Sequence, residues 1–438
     1  MKLDFSDKRV LVVGDIMLDK HIHGTISRLS PEAPVPILKA EKETFNPGGA
    51  ANLAANLSSL GAKVYLAGIV GEDEAQKILF KELEKNNIDF SCILHTKKPT
   101  IQKIRGLARQ NKLYHQHMLR IDYEDTSQIS KEIEEKLFLL ISAKINEVDA
   151  IALCDYAKGT LTESLVKSLI SLAKQNGKLL TADCKPINID FYKNVDLLKP
   201  NKKEAIEMTL NENIEEAGKI LREKLNSNIV ITKGGEGMSI FEKNNNIAHF
   251  PTNVKEVYDV AGAGDTVLAV LTLSLCSGFN LTQAVQLADR AAGIVISKPG
   301  VTVITKQDLE KSFNNEIKIV PKEWGEEQWI VNNEKYCGKK MHIKQGYYCS
   351  YHMHKIKEET FYVLEGELEV VHNGGYLQVE TGETLHIKPG SYHSFRALKD
   401  TIFFEFSTHH LNEDNYRLTK SSSGNHEKWK KEIEEVLK

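Results

Sequence analysis

The strongest chemical signature lies at residues 259–266, Asp-Val-Ala-Gly-Ala-Gly-Asp-Thr, between a strand-like stretch (254–260) and the apolar run Val267 to Leu275. Gly262, Ala263 and Gly264 put small residues at a predicted helix N-terminus, where backbone N–H groups converge and can hold an anion. Asp265 follows at once. A carboxylate does not bind phosphate, so its chemistry must differ. It can accept a proton from a hydroxyl set against a phosphoryl group, while the N–H cluster stabilises the charge developing on that group. Read alone, the same letters also describe a glycine turn with an aspartate cap.

Three further segments offer ligand groups. In 46–61, Gly48 and Gly49 permit a tight turn and close approach of a ligand. Asn52 is polar on an otherwise small and apolar helix start, where it can read sugar hydroxyls or cap the helix. In 231–241, a strand–turn–strand pattern, Lys233, Gly235 and Gly237 can lie along a nucleotide or simply turn a hairpin. Gly14 and Asp15 end the first strand and Asp183 ends a later one, where open α/β sheets place ligand groups. Asn201 and Glu204 share the first turn of a helix and could hold water around Mg²⁺. GxxxxGK[ST] is absent.

The histidines of the C-terminal quarter suggest different chemistry. His352 and His354 are two apart on a strand-like stretch and face the same way. Glu359 follows, and His393 arrives from a later strand. Three imidazoles and a carboxylate suit a divalent transition metal (Mn, Fe, Ni, Co or Zn), with room for water or substrate. The pairs His21/His23 and His115/His117 have no matching acid and later histidine. They are expected on the surface of accessory strands.

Two kinds of element must position these groups. Up to about residue 318, short β-branched runs (9–15, 63–71, 148–156, 178–184, 228–235) alternate with helical stretches (50–60, 73–86, 161–176, 202–225). That alternation predicts a parallel sheet with helices on both faces. Segments 21–43 and 100–122 instead alternate polar and apolar residues, and predict a small antiparallel accessory sheet over a cleft. Their apolar faces lack cover, so a homodimer is expected. After 318, short strands broken by Gly, Asn and Pro predict an all-β barrel over 319–418. Residues 419–438 read as a polar hinge and a helix with Trp429, Ile433, Val436 and Leu437 on one face.

The 438 residues carry 57 Lys and Arg against 60 Asp and Glu, a balance that argues against a nucleic-acid surface. No run approaches 18 apolar residues, which excludes a membrane-spanning helix. Six scattered cysteines without a CxxC read as free thiols of a cytoplasmic protein.

The segments GGAANLA (48–54), Gly61, Gly71, NKKEA (201–205) and DVAGAGDTVLA (259–269) resemble the signatures of the ribokinase-type (PfkB) carbohydrate kinases over residues 1–315. Within that family, VVGDIMLDKHIHGTISRLSPEAPVPIL (12–38), TIQKIRGLARQNK (100–112), LRID (119–122), CDYAKGTLT (154–162), 182–205 and TKGGEGM (232–238) are most similar to bacterial kinases that phosphorylate D-glycero-β-D-manno-heptose 7-phosphate at O1. Those kinases are joined to a nucleotidyltransferase half, which a different domain replaces here. The resemblance implies ATP and Mg²⁺, with Asp265 as the base for the anomeric hydroxyl and Gly262 to Gly264 as the anion hole. It gives Asp15, Gly48, Gly49 and Asn52 to the sugar, and Asn201, Glu204, Lys233, Gly235 and Gly237 to the Mg-ATP side. Lys103, Arg105 and Arg109 in the accessory region suit a substrate that already carries phosphate, and Lys158 and Lys185 can share in binding phosphate groups. Lys185 is grouped with the Mg-ATP residues.

Gly346, His352, His354, Glu359 and Gly366, then Gly382, Pro389, Gly390 and His393, resemble the two motifs of the cupin family, with Lys388 and Ala397 departing from the usual residues. Segments 324–331 and 361–370 are most similar to cupins of the sugar-isomerase kind. Isomerase or epimerase, dioxygenase and pure binding module all remain compatible with that site. For the first domain, the rivals to a heptose-phosphate kinase are a kinase for another sugar and a sugar-sensing scaffold.

Overall fold

The computed structural model describes residues 3–109, 115–252, 262–297, 302–312, 317–411, 413–424 and 426–437. The strand expected over 254–260 and residues 110–114 of the second accessory segment lie outside the described residues. The chain divides into two compact units between residues 314 and 315. That division precedes the boundary read at 318, because strand Lys318–Lys322 already pairs with Gly325–Asn332 in the second unit.

The first unit begins with β1 (Arg9–Gly14), β2 (Ile16–Leu29), β3 (Pro36–Gly49), α1 (Ala50–Ser59), β4 (Lys63–Val70), α2 (Glu74–Lys85) and β5 (Ile88–His95). It continues with β6 (Ile101–Arg109), β7 (His115–Tyr123), α3 (Lys131–Lys144), β8 (Ala150–Cys154), α4 (Glu163–Gln175), β9 (Leu179–Asp183) and β10 (Leu197–Leu198). Then come α5 (Lys202–Thr209), α6 (Ile214–Leu225), β11 (Asn228–Thr232), β12 (Met238–Phe241), β13 (Ile247–Phe250), α7 (Ala263–Cys276), α8 (Leu281–Ile296) and α9 (Lys306–Lys311).

The main sheet has the order β13-β12-β11-β10-β9-β8-β1-β4-β5. The seven strands from β11 to β5 in this order are parallel, but β12 and β13 join antiparallel, so the sheet is mixed at one edge rather than wholly parallel. The physical reason is the short glycine turn after β11, which allows a hairpin but no crossover. In β1, Val10 and Val12 face one core layer and Leu11 and Val13 the other, all four buried. A strand covered on both faces reads as an unbroken apolar run, as this one does. Parallel strands put their carboxyl ends on one edge, so Asp15, Asp155, Tyr156, Asp183, Lys199 and Lys233, at the ends of β1, β8, β9, β10 and β11, converge there. The helix expected over 202–225 is two helices. Leu210 takes a left-handed φ of 54°, and Asn213 caps α6.

The accessory sheet has the order β3-β2-β6-β7. It is not purely antiparallel: β2 and β6 run parallel, because the intervening chain returns through α1, β4, α2 and β5. His21 is buried rather than on the surface, since β2 is flanked by β3 and β6. His117 is exposed.

In the second unit a six-stranded sheet runs Lys318–Lys322, Gly325–Asn332, Tyr336–Ile343, Thr401–Thr408, Glu359–Glu365, Thr384–Ile387. The facing sheet contains Gly375–Glu380, Glu367–His372, His393–Ala397, Tyr347–Tyr348 and Ser422–Ser423, with His352–Met353 and Tyr416–Arg417 beside it. Between the sheets Phe361, Phe395 and Phe403 meet edge-to-face at 5.1–5.8 Å. The helix His426–Leu437 belongs to this unit: Trp429 and Ile433 pack with Tyr348, Tyr351 and Val371 in a second small core.

Candidate active site and metal centre

Asp265 stands in the first turn of α7, buried, and its carboxylate is held from two sides. Asn52 donates from Nδ2 to Oδ2 at 2.6 Å, and the Tyr156 hydroxyl donates to Oδ1 at 3.0 Å. Burial raises its pKa to about 6, with Asp183 adding to the rise and Asn52, Lys199 and Tyr156 opposing it. A carboxyl poised there accepts a proton near neutral pH more readily than an ordinary aspartate does. Gly262 caps α7 in a left-handed conformation (φ 82°), a position that favours glycine, and among the described residues no side chain caps this end. The amide groups of the first turn are therefore available to an anion.

Lys199 lies beside them, its ammonium 2.7 Å from Asp183. Burial would push this lysine down, but the Asp183 carboxylate holds it up and charged. A methyl group on Gly264 would come within 3.3 Å of the Lys199 Nζ. Lys199 thus brings an ammonium, paired with Asp183, to the candidate anion hole formed by Gly262, Ala263 and Gly264.

Asp15 has a positioning role that the structure shows. Its buried carboxylate accepts from the backbone N–H groups of Tyr156 (2.9 Å), Lys158 (2.9 Å) and Thr160 (3.2 Å). It clamps the loop that carries Tyr156. Gly49 has φ 56°, and a side chain there would strike the Asp15 carbonyl oxygen at 2.4 Å. At Gly48 a side chain would meet the Asp19 carboxylate at 2.9 Å.

Asp19 is a buried carboxylate that the motif reading passes over. It sits in register with Asn46 on β3 and Lys103 on β6, and pairs with Arg105 at 2.6 Å. Lys103 places its ammonium 4.8 Å from the centre of the Tyr156 ring, and Lys185 approaches the same ring at 5.2 Å. Tyr156 therefore joins the base to two cations. Lys158 pairs with Glu124 at 2.7 Å, and Arg109 lies exposed beside Glu41 at 3.4 Å. Of the basic candidates in the accessory region, Lys103 and Arg105 lie closest to the site.

On the other side, Asn201 and Glu204 form a capping box at α5. Asn201 Oδ1 accepts from the Glu204 N–H at 2.9 Å, and Glu204 Oε2 accepts from the Asn201 N–H at 3.0 Å. The second Glu204 oxygen binds Lys185. Lys233 opens the turn between β11 and β12, where Gly235 faces open space and Gly237 fits against the Phe250 carbonyl with no room for a Cβ.

In the second unit His352, His354 and His393 bring ligand nitrogens within 4.8 Å of one another. His352 and His393 are cross-strand partners. Each ring turns Nδ1 to a backbone carbonyl: His352 to Ser350 (2.7 Å), His354 to Asp414, His393 to Ser391 (3.1 Å). With Nδ1 donating, each Nε2 keeps its lone pair, the tautomer a metal requires. Glu359 Oε1 lies 2.8 Å from His393 Nε2 and is buried without a hydrogen-bond donor. Two acceptors facing each other at that distance call for a cation between them. The three imidazoles could therefore hold a divalent metal, with Glu359 Oε1 close enough to His393 and His354 to add an oxygen. Lys357 binds the other Glu359 oxygen and Glu405, and Lys339 reaches Glu405 at 3.3 Å. These four charges cancel inside the barrel, and burial is tolerable because each is paired.

Residues 7–308 match the family model for pfkB family carbohydrate kinases, and residues 339–405 match that for the cupin domain. The chain is 38% identical over 315 residues to the bifunctional protein HldE of Proteus mirabilis, covering 71% of this chain and 65% of the relative. It is 37% identical over 359 residues to that of Caulobacter vibrioides, covering 78% and 72%. The chain thus spans about two thirds of the length of these curated relatives. Phosphofructokinase-2 from Escherichia coli in complex with potassium superposes with a TM-score of 0.59 at 17% identity, over 70% of this chain and 98% of that one. Arabidopsis thaliana ribokinase complexed with ribose and ATP gives 0.56 at 17%, over 70% and 99%. At such identity the likeness is one of fold.

Proposed function

The chain belongs to the pfkB carbohydrate kinase family, and from that premise we propose that its first unit transfers the γ-phosphoryl group of ATP to O1 of D-glycero-β-D-manno-heptose 7-phosphate. The observation that carries this reading is a buried Asp265, raised to about 6, in the first turn of a glycine-capped helix beside the Lys199 ammonium. Asp265 takes the proton of the anomeric hydroxyl as that oxygen bonds to phosphorus and the bond to the ADP oxygen breaks. The first-turn amides and Lys199 stabilise the charge on the phosphoryl oxygens. Asn52 and Tyr156 orient the base. Lys103 and Arg105 take the 7-phosphate, with Lys158 behind them. Lys185, Lys233, Gly235 and Gly237 line the nucleotide side. Mg²⁺, when bound with ATP, neutralises phosphate oxygens. Asn201 and Glu204 act on it through water, since the capping box and Lys185 occupy three of their polar contacts. ADP release with a panel of heptose, hexose and pentose phosphates tests the substrate. Activity confined to an unphosphorylated sugar or a nucleoside would overturn it.

The second unit holds one divalent transition metal through His352, His354, Glu359 and His393, and isomerises or epimerises a related sugar phosphate. The metal supplies a Lewis acid that polarises a carbonyl. Kinase-dead protein incubated with heptose and hexose phosphates tests the conversion, and no metal-dependent product would leave a binding module. The protein works as a homodimer in the cytoplasm. Leu119, Ile121 and Tyr123, at alternate exposed positions of β7, support the dimer, and a monomer at micromolar concentration would exclude it.

A further inference from the structure

Outside the three histidines, the second unit has a basin whose charge the metal reading does not use. A cavity of about 90 Å³ around His352, His354 and His393 shares Lys322, Glu327, His410, Asn415 and Arg417 with an outer basin of about 530 Å³. The outer wall adds Lys318 and Trp329. Arg417 is the cross-strand partner of His352, so its side chain emerges on the face that carries the metal ligands. Its Nε donates to Asn415 Oδ1 at 3.2 Å, and no carboxylate pairs with it among the described residues. Lys322 shares Glu327 at 3.2 Å, and the Lys318 ammonium lies 5.0 Å from the Trp329 ring centre.

The charge count fixes the sign of the ligand. Lys318, Lys322, Lys339, Lys357 and Arg417 line the two spaces against Glu327, Glu359 and Glu405. His410 stays neutral, burial and the Lys339 ammonium lowering it to about 4. Five cations face three carboxylates, an excess of two. A bound divalent metal would raise it further, because Lys357 already neutralises Glu359. Lys339 and Lys357 spend their charge on Glu405 and Glu359 in the interior, so the excess lies at the mouth, on Lys318, Lys322 and Arg417. A phosphate monoester carries close to two negative charges at neutral pH, and a guanidinium fork meets it with paired hydrogen bonds.

We infer that this basin binds a phosphorylated sugar, its phosphate on Arg417 and Lys322 at the mouth and its sugar oxygens toward the three histidines. This rests on the reading of the second unit as a sugar-phosphate site, and it adds the residues that select the phosphate. The basin is wide enough for a hexose or heptose ester and lies in the usual range for small-molecule sites.

The test uses the full chain without ATP, loaded with one Co²⁺. D-mannose 6-phosphate, D-glycero-D-manno-heptose 7-phosphate, D-mannose and inorganic phosphate are titrated while the visible Co²⁺ absorption and the heat of binding are followed. The expected result is that a sugar phosphate saturably changes the Co²⁺ spectrum, and that mannose binds at least tenfold more weakly. Arg417→Gln and, separately, Lys322→Gln should each weaken the ester about tenfold or more with cobalt content unchanged, the scale of one charge-assisted hydrogen bond. Esters that bind no better than mannose, or both variants binding like the parent, would overturn the inference. So would inorganic phosphate binding as tightly as the esters, which would make the basin a free-anion site. If cobalt is not retained, the metal reading fails, and the same variants compared by calorimetry on metal-free protein still decide the phosphate site. Normal ester binding without any conversion by kinase-dead protein would defeat the isomerase reading and leave this one standing.

Discussion

Replacing Asp265 by Asn should abolish turnover and stabilise the protein at once. The Asp265 carboxyl ionises near 6 in the fold, against 3.8 for an ordinary aspartate, and burial is the main cause. The folded state therefore holds this proton more tightly than the unfolded chain. Stability falls as pH rises from about 4 to about 6, and the cost is complete above that. Two pK units correspond to about 3 kcal/mol. An uncharged carboxamide in the same place escapes this cost. Its carbonyl can accept from Asn52, and its amide can donate to the Tyr156 hydroxyl, so both hydrogen bonds survive. The variant should thus melt several degrees higher at pH 7.5, at roughly 2 °C per kcal/mol, and the gap should close below about pH 4. Parent kcat/KM should climb with unit slope up to about pH 6 and then level. The variant should lose about 10²–10⁴ in kcat, with ADP affinity intact. Calorimetric melts from about pH 4 to 8 and steady-state ADP release read both effects. Half the parent kcat in the variant would reduce Asp265 to a helix cap. Equal melting curves at every pH would show that burial does not strain the carboxylate.

Tyr156→Phe removes a donor that lowers the pKa of Asp265, so the acid limb of kcat/KM should move to higher pH while KM for ATP stays put. Asn201→Ala should lower stability by about 1 kcal/mol through loss of the cap and raise the half-saturating Mg²⁺. A lower melting temperature with unchanged Mg²⁺ dependence would confine Asn201 to capping. His352→Ala should hold less than a tenth of the parent's metal by elemental analysis after reconstitution. Retention of one equivalent would move the centre elsewhere. Trp429 is buried, with its indole N–H on Ser394 Oγ at 3.1 Å, so Trp429→Ala should cost about 3–5 kcal/mol, read as a lower denaturant midpoint for the second unit.

The parts of the site legible in the sequence are those whose signal is local. Gly262 to Asp265 announce themselves as small residues and an acid at a helix start, although a plain turn with an aspartate cap has the same letters. His352 and His354 stand out because residues two apart on a strand face the same way, and His393 because it repeats the residue type in a later strand-like run. Asp19, Tyr156 and Lys199 carry no such signal. Each becomes a site residue only when β2 of the accessory sheet meets the carboxyl ends of β8 and β10 in the main sheet, and β10 is just two residues long. Asn201 and Glu204 illustrate the opposite difficulty. Asn-x-x-Glu is a plausible Mg²⁺ pair and also the capping-box pattern, and only the hydrogen bonds reveal that the capping box forms. The fold class was legible because β1, β4, β8 and β11 are apolar on both faces. The break between α5 and α6 was hidden because a leucine, not a glycine, takes the left-handed position.

The three hydrogen bonds that Asp15 accepts have a consequence for how this protein would look in a mutational scan. An aspartate at a strand tip, buried beside the chemistry, would score as intolerant and be filed among substrate contacts. Part of its work, holding that loop, is done before any sugar arrives. The loop from Tyr156 to Thr160 is ordered once, during folding, and is not frozen again at each encounter, so the entropy of fixing it is not charged against substrate affinity. Loss of Asp15 would then appear as weaker binding of every ligand that loop serves, and specificity among them would hardly change.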